Sequence, residues 1–233
     1  EMRRDLAALD FERLAIVGRG LDTRLFSPDK RSEDLRRSWG CEPGDLAALC
    51  VSRIAAEKNL DLFVRTVRAI RTIDVRLKPV VVGDGPVLGA LRERCPDIHF
   101  AGMRTGEDLA AHYASADIFV FPSLSETFGN VTVEAMASGL AVLAYDYAAA
   151  HEYIVDGVTG VLAPYGDAEV FVNKARWLTQ SRDSLPKMRR RARTQAERLS
   201  IEVMFDDLEQ VLLAVADRAP VLPVGTAILA HRS

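Results

Sequence analysis

Short runs that are apolar along their whole length alternate with stretches whose apolar residues return every three or four positions. The first kind comprises 14–18 (LAIVG), 46–53 (LAALCVSR), 77–85 (LKPVVVGDG), 97–102 (DIHFAG), 117–123 (DIFVFPS) and 140–145 (LAVLAY), each bounded by Gly, Pro or Asp. The second kind includes Leu60, Phe63, Val64, Val67 and Ile70, and further on Ile201, Met204, Phe205, Leu208, Val211 and Leu212, with Ser200 placed to cap that last helix. Strands without polar alternation, separated by amphipathic helices, predict a parallel sheet covered on both faces. The expectation is an α/β, doubly wound, Rossmann-like domain over residues 1–216. From Ala219 two prolines and a glycine break the pattern, so 217–233 reads as an extension, exposed or docked on a partner.

Composition narrows the function classes. The chain has 233 residues, 48% of them hydrophobic, which is enough for a sizeable core. A formal net charge of −3 gives no reason to expect nucleic acid as a partner. The three cysteines, Cys41, Cys50 and Cys95, are widely spaced and read as reduced thiols of a cytoplasmic protein. No apolar run reaches the roughly 18 residues of a membrane span, and no signal-peptide pattern is present. The opening EMRRDLAALDFERL reads as the interior of a longer protein, so a fragment is expected.

Ligands of doubly wound sheets bind beyond the carboxyl ends of the strands, and four strand-to-helix junctions stand out. In 51–63 (VSRIAAEKNLDLF) Arg53 ends a strand and Lys58 stands at a helix start, where the helix dipole disfavours a cation unless an anion is near. Arg53 can grip phosphate oxygens bidentately and Lys58 can add a point charge; both also fit as solvated surface cations. In 80–91 (VVVGDGPVLGAL) the glycines do not fit G-x-G-x-x-G, since its third glycine falls on Leu88, so Gly83 and Gly85 predict a tight turn passing close to a ligand, with Pro86 opening a helix. Residues Gly102 to Thr105 end a strand and offer backbone groups to a base, or form an ordinary surface loop. The fourth junction, 125–139 (SETFGNVTVEAMASG), sets Glu126 before a helix and Glu134 about a turn inside it, on either side of Gly129. The orphan amides of that helix start attract anions, and Gly129 permits close approach. Two carboxylates beside a phosphate site are tolerable when they meet hydroxyls or cations, which points to a polyol phosphate ligand, with Glu126 projecting from its loop and Glu134 able to hold a ribose diol.

At these residues the chain resembles the donor-binding, C-terminal half of retaining nucleotide-sugar glycosyltransferases of the GT-B fold, the glycosyl transferases group 1 with their E-x7-E signature. The resemblance runs through 18–28 (GRGLDTRLFSP, an entry strand and turn), the Arg53/Lys58 segment, VVVGDGP, the Glu126–Glu134 block and 151–162 (HEYIVDGVTGVL). It implies that Arg53 and Lys58 stabilise the donor diphosphate and the departing charge, while Glu126 holds donor-sugar hydroxyls. It further implies that Phe128, Gly129, Asn130 and Val131 present backbone amides to sugar and phosphate, and that Glu134 binds the ribose. Met103 and Arg104 would meet the base through their main chain, with Leu109 beneath it. No cofactor and no metal are implied, consistent with the lack of a DxD motif, which neither SAD (115–117) nor YDY (145–147) supplies. Front-face transfer without an established enzyme nucleophile is implied, so Glu126 is not assigned as one. The partners implied are a nucleotide sugar (UDP- or GDP-linked), an N-terminal acceptor-binding domain absent from this chain, and a lipid or saccharide acceptor, with peripheral attachment to the inner face of a membrane for a lipid.

Two departures and two alternatives belong beside this reading. Residues 144–152 (AYDYAAAHE) lack the glycine pair many members carry, and none of His99, His112, His151 and His231 sits in a matching motif, so all four read as structural. The basic run 186–198 (PKMRRRARTQAER) reads as a solvated helix face and only secondarily as a membrane patch. A sugar-nucleotide epimerase or phosphorylase of the same architecture, or a non-catalytic Rossmann-like binding module, would share the fold.

Overall fold

The computed structural model describes residues 8–9 and 14–216, which fall into two compact units. The larger spans Thr23–Glu197 and carries the sheet: β1 (Ala47–Val51), β2 (Lys78–Val82), β3 (His99–Gly102), β4 (Ile118–Phe121), β5 (Ala141–Tyr145) and β6 (Gly160–Ala163). All neighbours pair in parallel, in the order β3-β2-β1-β4-β5-β6. Every residue of β1, β4, β5 and β6 is buried, as continuous apolar strands covered on both faces must be. The order turns back between β1 and β4, which puts the topological switch point, where such sheets bind ligands, beyond those two strands.

Helix α1 (Glu33–Ser38) precedes β1; α2 (Leu60–Arg71), α3 (Leu88–Arg94), α4 (Gly106–Ser115), α5 (Asn130–Ala137) and α6 (Ala148–Tyr153) fill the crossovers; α7 (Ala168–Gln180) and α8 (Leu185–Glu197) follow β6. The predicted stripe of α2 is buried as a set, joined by Leu62 and Thr66. The largest fully buried side chains of this unit include Phe63, Tyr113, Phe119, Phe171, Leu49 and Leu143. The cysteines are buried free thiols, and burial pushes Cys50 up to about 12, which makes it an inert core residue.

The sequence pattern fails at several places, each with a physical reason. Residues 14–18 form no strand; Ile16 is exposed, and the pairing nearby in the smaller unit is a parallel bridge of Leu21 to Ser200. The expected entry strand at 18–28 is thus reduced to that bridge and a short 3-10 turn at Pro28–Lys30. Strand β6 was not anticipated, because four residues following the glycine-bearing turn 155–159 carry too little pattern to stand out. Pro86 lies in a turn two residues ahead of α3 rather than opening it. The close approach at Gly83 and Gly85 is to the chain itself: a Cβ on Gly83 would lie 1.9 Å from the Ser52 carbonyl oxygen, and one on Gly85 2.3 Å from that of Ile54. These glycines let the turn after β2 press on the turn after β1.

The basic helix α8 is only partly a solvated face. Lys187, Arg190 and Arg191 are exposed, but Arg189 donates to the Gly139 carbonyl (2.6 Å) and pairs with Asp117 (3.0 Å), while Arg193 reaches the carbonyls of Thr23, Phe26 and Ala137 at 2.8–3.0 Å. Two arginines one turn apart therefore close off the carboxyl end of α5, where the last carbonyls lack intrahelical donors. In the smaller unit α9 (Ile201–Ala216) begins as expected, with the Ser200 hydroxyl accepting from the Val203 amide at 3.2 Å. Its apolar stripe is not buried: Phe205 and Leu212 are exposed. The extension 217–233, with His231, lies outside the described residues. Among the described residues no helix is long and apolar enough to cross a membrane.

Candidate functional site

The turns after β1 and β4 converge at the switch point. Beyond β1 the chain bends through Ser52–Ala55 into a 3-10 turn, Ala56–Lys58, and Asn59 adopts a left-handed conformation (φ 54°) before α2 starts. That kink turns Lys58 away from the helix it precedes. Its ammonium donates to the Ser125 carbonyl at 2.6 Å and to Glu126 Oε1 at 2.5 Å, a contact spanning 68 residues of sequence. The same carboxylate oxygen accepts from the Ser123 hydroxyl at 2.7 Å. Glu126 therefore does not project freely: it is 15% exposed and Lys58 18%. What stays available is specific. Glu126 Oε2 accepts from no described residue, and the ammonium, a triple donor, has two of its protons committed.

Arg53 stands nearby along the chain and is held less firmly, 67% exposed with a 3.5 Å contact to Glu57. An exposed pair of that geometry stabilises little, so the guanidinium is open to a stronger partner. Gly129 (φ 94°) caps α5, and a Cβ there would approach the Ala149 Cβ to 3.1 Å. Left-handed backbone and the lack of room both call for glycine. With no side-chain cap at this end, the first-turn amides of Asn130 and Val131 have no intrahelical acceptor. Ser123, Glu126, Gly129, Thr132, Tyr147 and Ala148 line a recess against this helix start.

Glu134 lies one turn further in. Its Oε2 accepts from the buried Tyr113 hydroxyl at 2.9 Å, while Oε1 takes no hydrogen bond from a described residue. Burial raises its pKa above the usual carboxylate range, and the phenol's donation works against that rise. The Tyr113 hydroxyl is in turn pushed far above its usual range by burial and by the Glu134 charge, so it remains a donor. At the remaining junction, Met103 is exposed, the Arg104 guanidinium folds back on the Ala101 carbonyl (2.8 and 3.0 Å) and Asp108 (3.0 Å), and Leu109 is half-buried in α4. With the Arg104 guanidinium committed, the main chain of 103–104 and the exposed Met103 side chain are open at this junction. His112 is buried against Trp39 with Nδ1 2.7 Å from the Asp108 carbonyl, and His151 pairs with Asp146 at 2.7 Å.

Lys58 and Glu126 are thus brought into contact, Arg53 lies in the same turn as Lys58, and the Phe128–Val131 segment and Glu134 follow Glu126 into α5. Sequence reasoning missed Ser123, Tyr113, Tyr147 and Tyr165. The first had a readable signal, a hydroxyl three residues before Glu126; Tyr113 comes from within α4 and Tyr147 and Tyr165 from other junctions, and only the sheet order brings them in.

Residues 46–181, more than half of the chain, match the family described as Glycosyl transferases group 1. The chain belongs to that family. It is 38% identical over 164 residues to a GDP-mannose-dependent alpha-mannosyltransferase of Mycobacterium tuberculosis, covering 70% of this chain and 42% of the relative. It is 34% identical over 192 residues to the sulfoquinovosyl transferase SQD2 of Arabidopsis thaliana, covering 79% and 37%. The chain spans well under half the length of these two relatives. Among solved structures, Anabaena HepE in complex with UDP and glucose superposes with a TM-score of 0.70 at 22% identity, over 84% of this chain and 55% of that one. A sucrose-phosphate synthase from Thermosynechococcus elongatus gives 0.72 at 22%, over 87% and 53%. These neighbours fix the fold: a doubly wound, Rossmann-like half of the GT-B kind.

Proposed function

We propose that this chain is the nucleotide-sugar-binding domain of a retaining glycosyltransferase that moves a hexose from a UDP- or GDP-sugar to a lipid or saccharide acceptor. The observation that carries the reading is the Lys58–Glu126 contact at the switch point, with one ammonium proton and one carboxylate oxygen unspent, beside the orphan amides of α5. A cation and an anion that neutralise each other leave a site able to take both halves of a sugar phosphate. Lys58 and Arg53 meet the diphosphate and stabilise the charge that builds on it as the sugar leaves. Glu126 Oε2 accepts from sugar hydroxyls. The amides from Phe128 to Val131 face sugar and phosphate, Glu134 Oε1 accepts from the ribose, and the main chain of Met103 and Arg104 meets the base above Leu109.

In this reading the diphosphate is neutralised by side chains and backbone amides, so the reaction proceeds without a metal or other cofactor. The acceptor is held by a further domain of the whole protein, and a lipid acceptor places that protein at the inner face of a membrane. The isolated chain then binds nucleotide and transfers no sugar. The mannosyltransferase relative makes GDP-mannose the first donor to try. A thermal-shift screen of UDP, GDP, ADP and their sugars tests the proposal, since ligand at about 100 times its Kd adds about 2.7 kcal/mol of stability. A rise with GDP or UDP supports it. No rise with any of them contradicts it, and so does sugar transfer by this chain alone.

A further inference from the structure

The segment carrying Glu126 has no regular structure, yet three successive carbonyls in it are each held by a side chain from a different strand exit. Tyr165, beyond β6, donates its hydroxyl to the Leu124 carbonyl at 2.7 Å. Lys58, beyond β1, takes the Ser125 carbonyl at 2.6 Å. Tyr147, beyond β5, donates to the Glu126 carbonyl at 3.2 Å. The two tyrosine rings contact each other, centroids 5.1 Å apart at 55°, so the phenols form one unit. They are 40% and 55% exposed, so they are rim residues whose hydroxyls meet backbone rather than part of the core.

The placement of Tyr147 is itself enforced. The next residue, Ala148, stands at φ 49°, a left-handed conformation that disfavours any side chain. The Ala149 amide donates to the Phe128 carbonyl at 3.0 Å, which ties this turn to the far end of the Glu126 loop. Tolerating that strain beside a ligand recess is what a constraint on loop position would require. The turn 144–152, which lacks a glycine pair, thereby acts on the loop from outside.

We propose that Tyr147 and Tyr165 are positioning residues, a phenolic clamp that fixes the Glu126 loop and thereby sets the sugar subsite. This rests on the reading of Glu126 as the sugar-hydroxyl acceptor. Neither phenol hydrogen-bonds to Arg53, Lys58 or Glu134; each bonds the main chain of the Glu126 loop, so its effect falls more on the sugar than on the nucleotide.

The test uses Tyr147→Phe/Tyr165→Phe, which keeps both rings and removes only the hydroxyls. Amide hydrogen exchange of the ligand-free chain should show residues 124–129 exchanging about tenfold faster, with strands β1 and β4 unchanged, as the loss of two such hydrogen bonds implies. Calorimetric titration with GDP and GDP-mannose, and with UDP and UDP-glucose, should show the preference for the sugar nucleotide over its diphosphate falling about tenfold, with diphosphate affinity within about twofold of wild type. Restoring either tyrosine should recover part of that preference. Unchanged loop exchange overturns the clamp. A parallel fall in both affinities overturns the positioning role and leaves a structural one. A wild-type chain without preference for the sugar nucleotide overturns the Glu126 reading, and the exchange measurement then decides the clamp alone.

Discussion

Strand β4 has an acid at each end, and the two are treated differently. Asp117, at the amino end, is 6% exposed and fully engaged: Oδ1 accepts from Arg189 (3.0 Å) and Arg31 (3.3 Å), Oδ2 from Arg36 (3.0 Å) and the Ala47 amide (2.9 Å). Burial lowers the pKa of Arg189, and the Asp117 charge opposes that. Glu126, beyond the carboxyl end, is nearly as hidden, but both its contacts fall on one oxygen. The difference teaches that burial does not separate a structural acid from a binding one. Saturation does. Asp117, with both oxygens occupied, holds the fold together, and Glu126, half-occupied at the switch point, keeps an oxygen open to a ligand.

The largest expected effect lies at the saturated end. Asp117→Ala strands buried arginines and should cost about 3–5 kcal/mol in urea unfolding. A variant that unfolds like wild type but no longer binds GDP would reverse the two roles. At the other end Arg53→Ala should weaken GDP binding by about 1.5–3 kcal/mol, the range for hydrogen bonds to charged groups, while leaving the unfolding midpoint in place; a shifted midpoint with intact affinity would make Arg53 structural. Within α8, Arg193→Ala should destabilise by about 1–3 kcal/mol through the carbonyls it abandons, against about 0.5 kcal/mol or less for exposed Lys187→Ala. Equal losses would return the whole helix to a solvated face.

The smallest effect concerns pH. Because burial raises the folded-state pKa of Glu134, the folded chain holds that proton more tightly than the unfolded one. The stability so gained is complete below the unfolded pKa and lost as pH rises through the folded value. Glu134→Gln lacks this decline. Melting curves between about pH 4 and 8 should therefore show the variant gaining on wild type as pH rises, while its nucleotide affinity drops. Parallel curves would mean that the Glu134 charge carries no cost.

Most of the fold was legible because parallel strands leave continuous apolar runs, and five of the six predicted runs became strands. The failure at 14–18 and the omission of β6 share a cause: five or four apolar residues say nothing about whether a neighbour exists to pair with them. The site was half legible. Arg53, Lys58, Gly129 and the two glutamates stand out because each is chemically odd at a strand exit or helix start. Tyr113, Tyr147 and Tyr165 do not, since their hydroxyls gain meaning from what lies across the sheet, whereas Ser123 carried a local signal in its spacing to Glu126. Arg189 and Arg193 misled for the same reason, as a basic run cannot reveal which of its cations face carbonyls.

Under the proposed function, Arg53 and Lys58 hold a nucleoside diphosphate at the carboxyl end of β1 and β4. Calorimetric titration of the chain with guanosine and with GDP tests it most directly, with uridine and UDP alongside. The diphosphate should bind more tightly than its nucleoside, and Arg53→Ala should remove much of the difference. Equal affinity for nucleoside and diphosphate in the unmutated chain would contradict it.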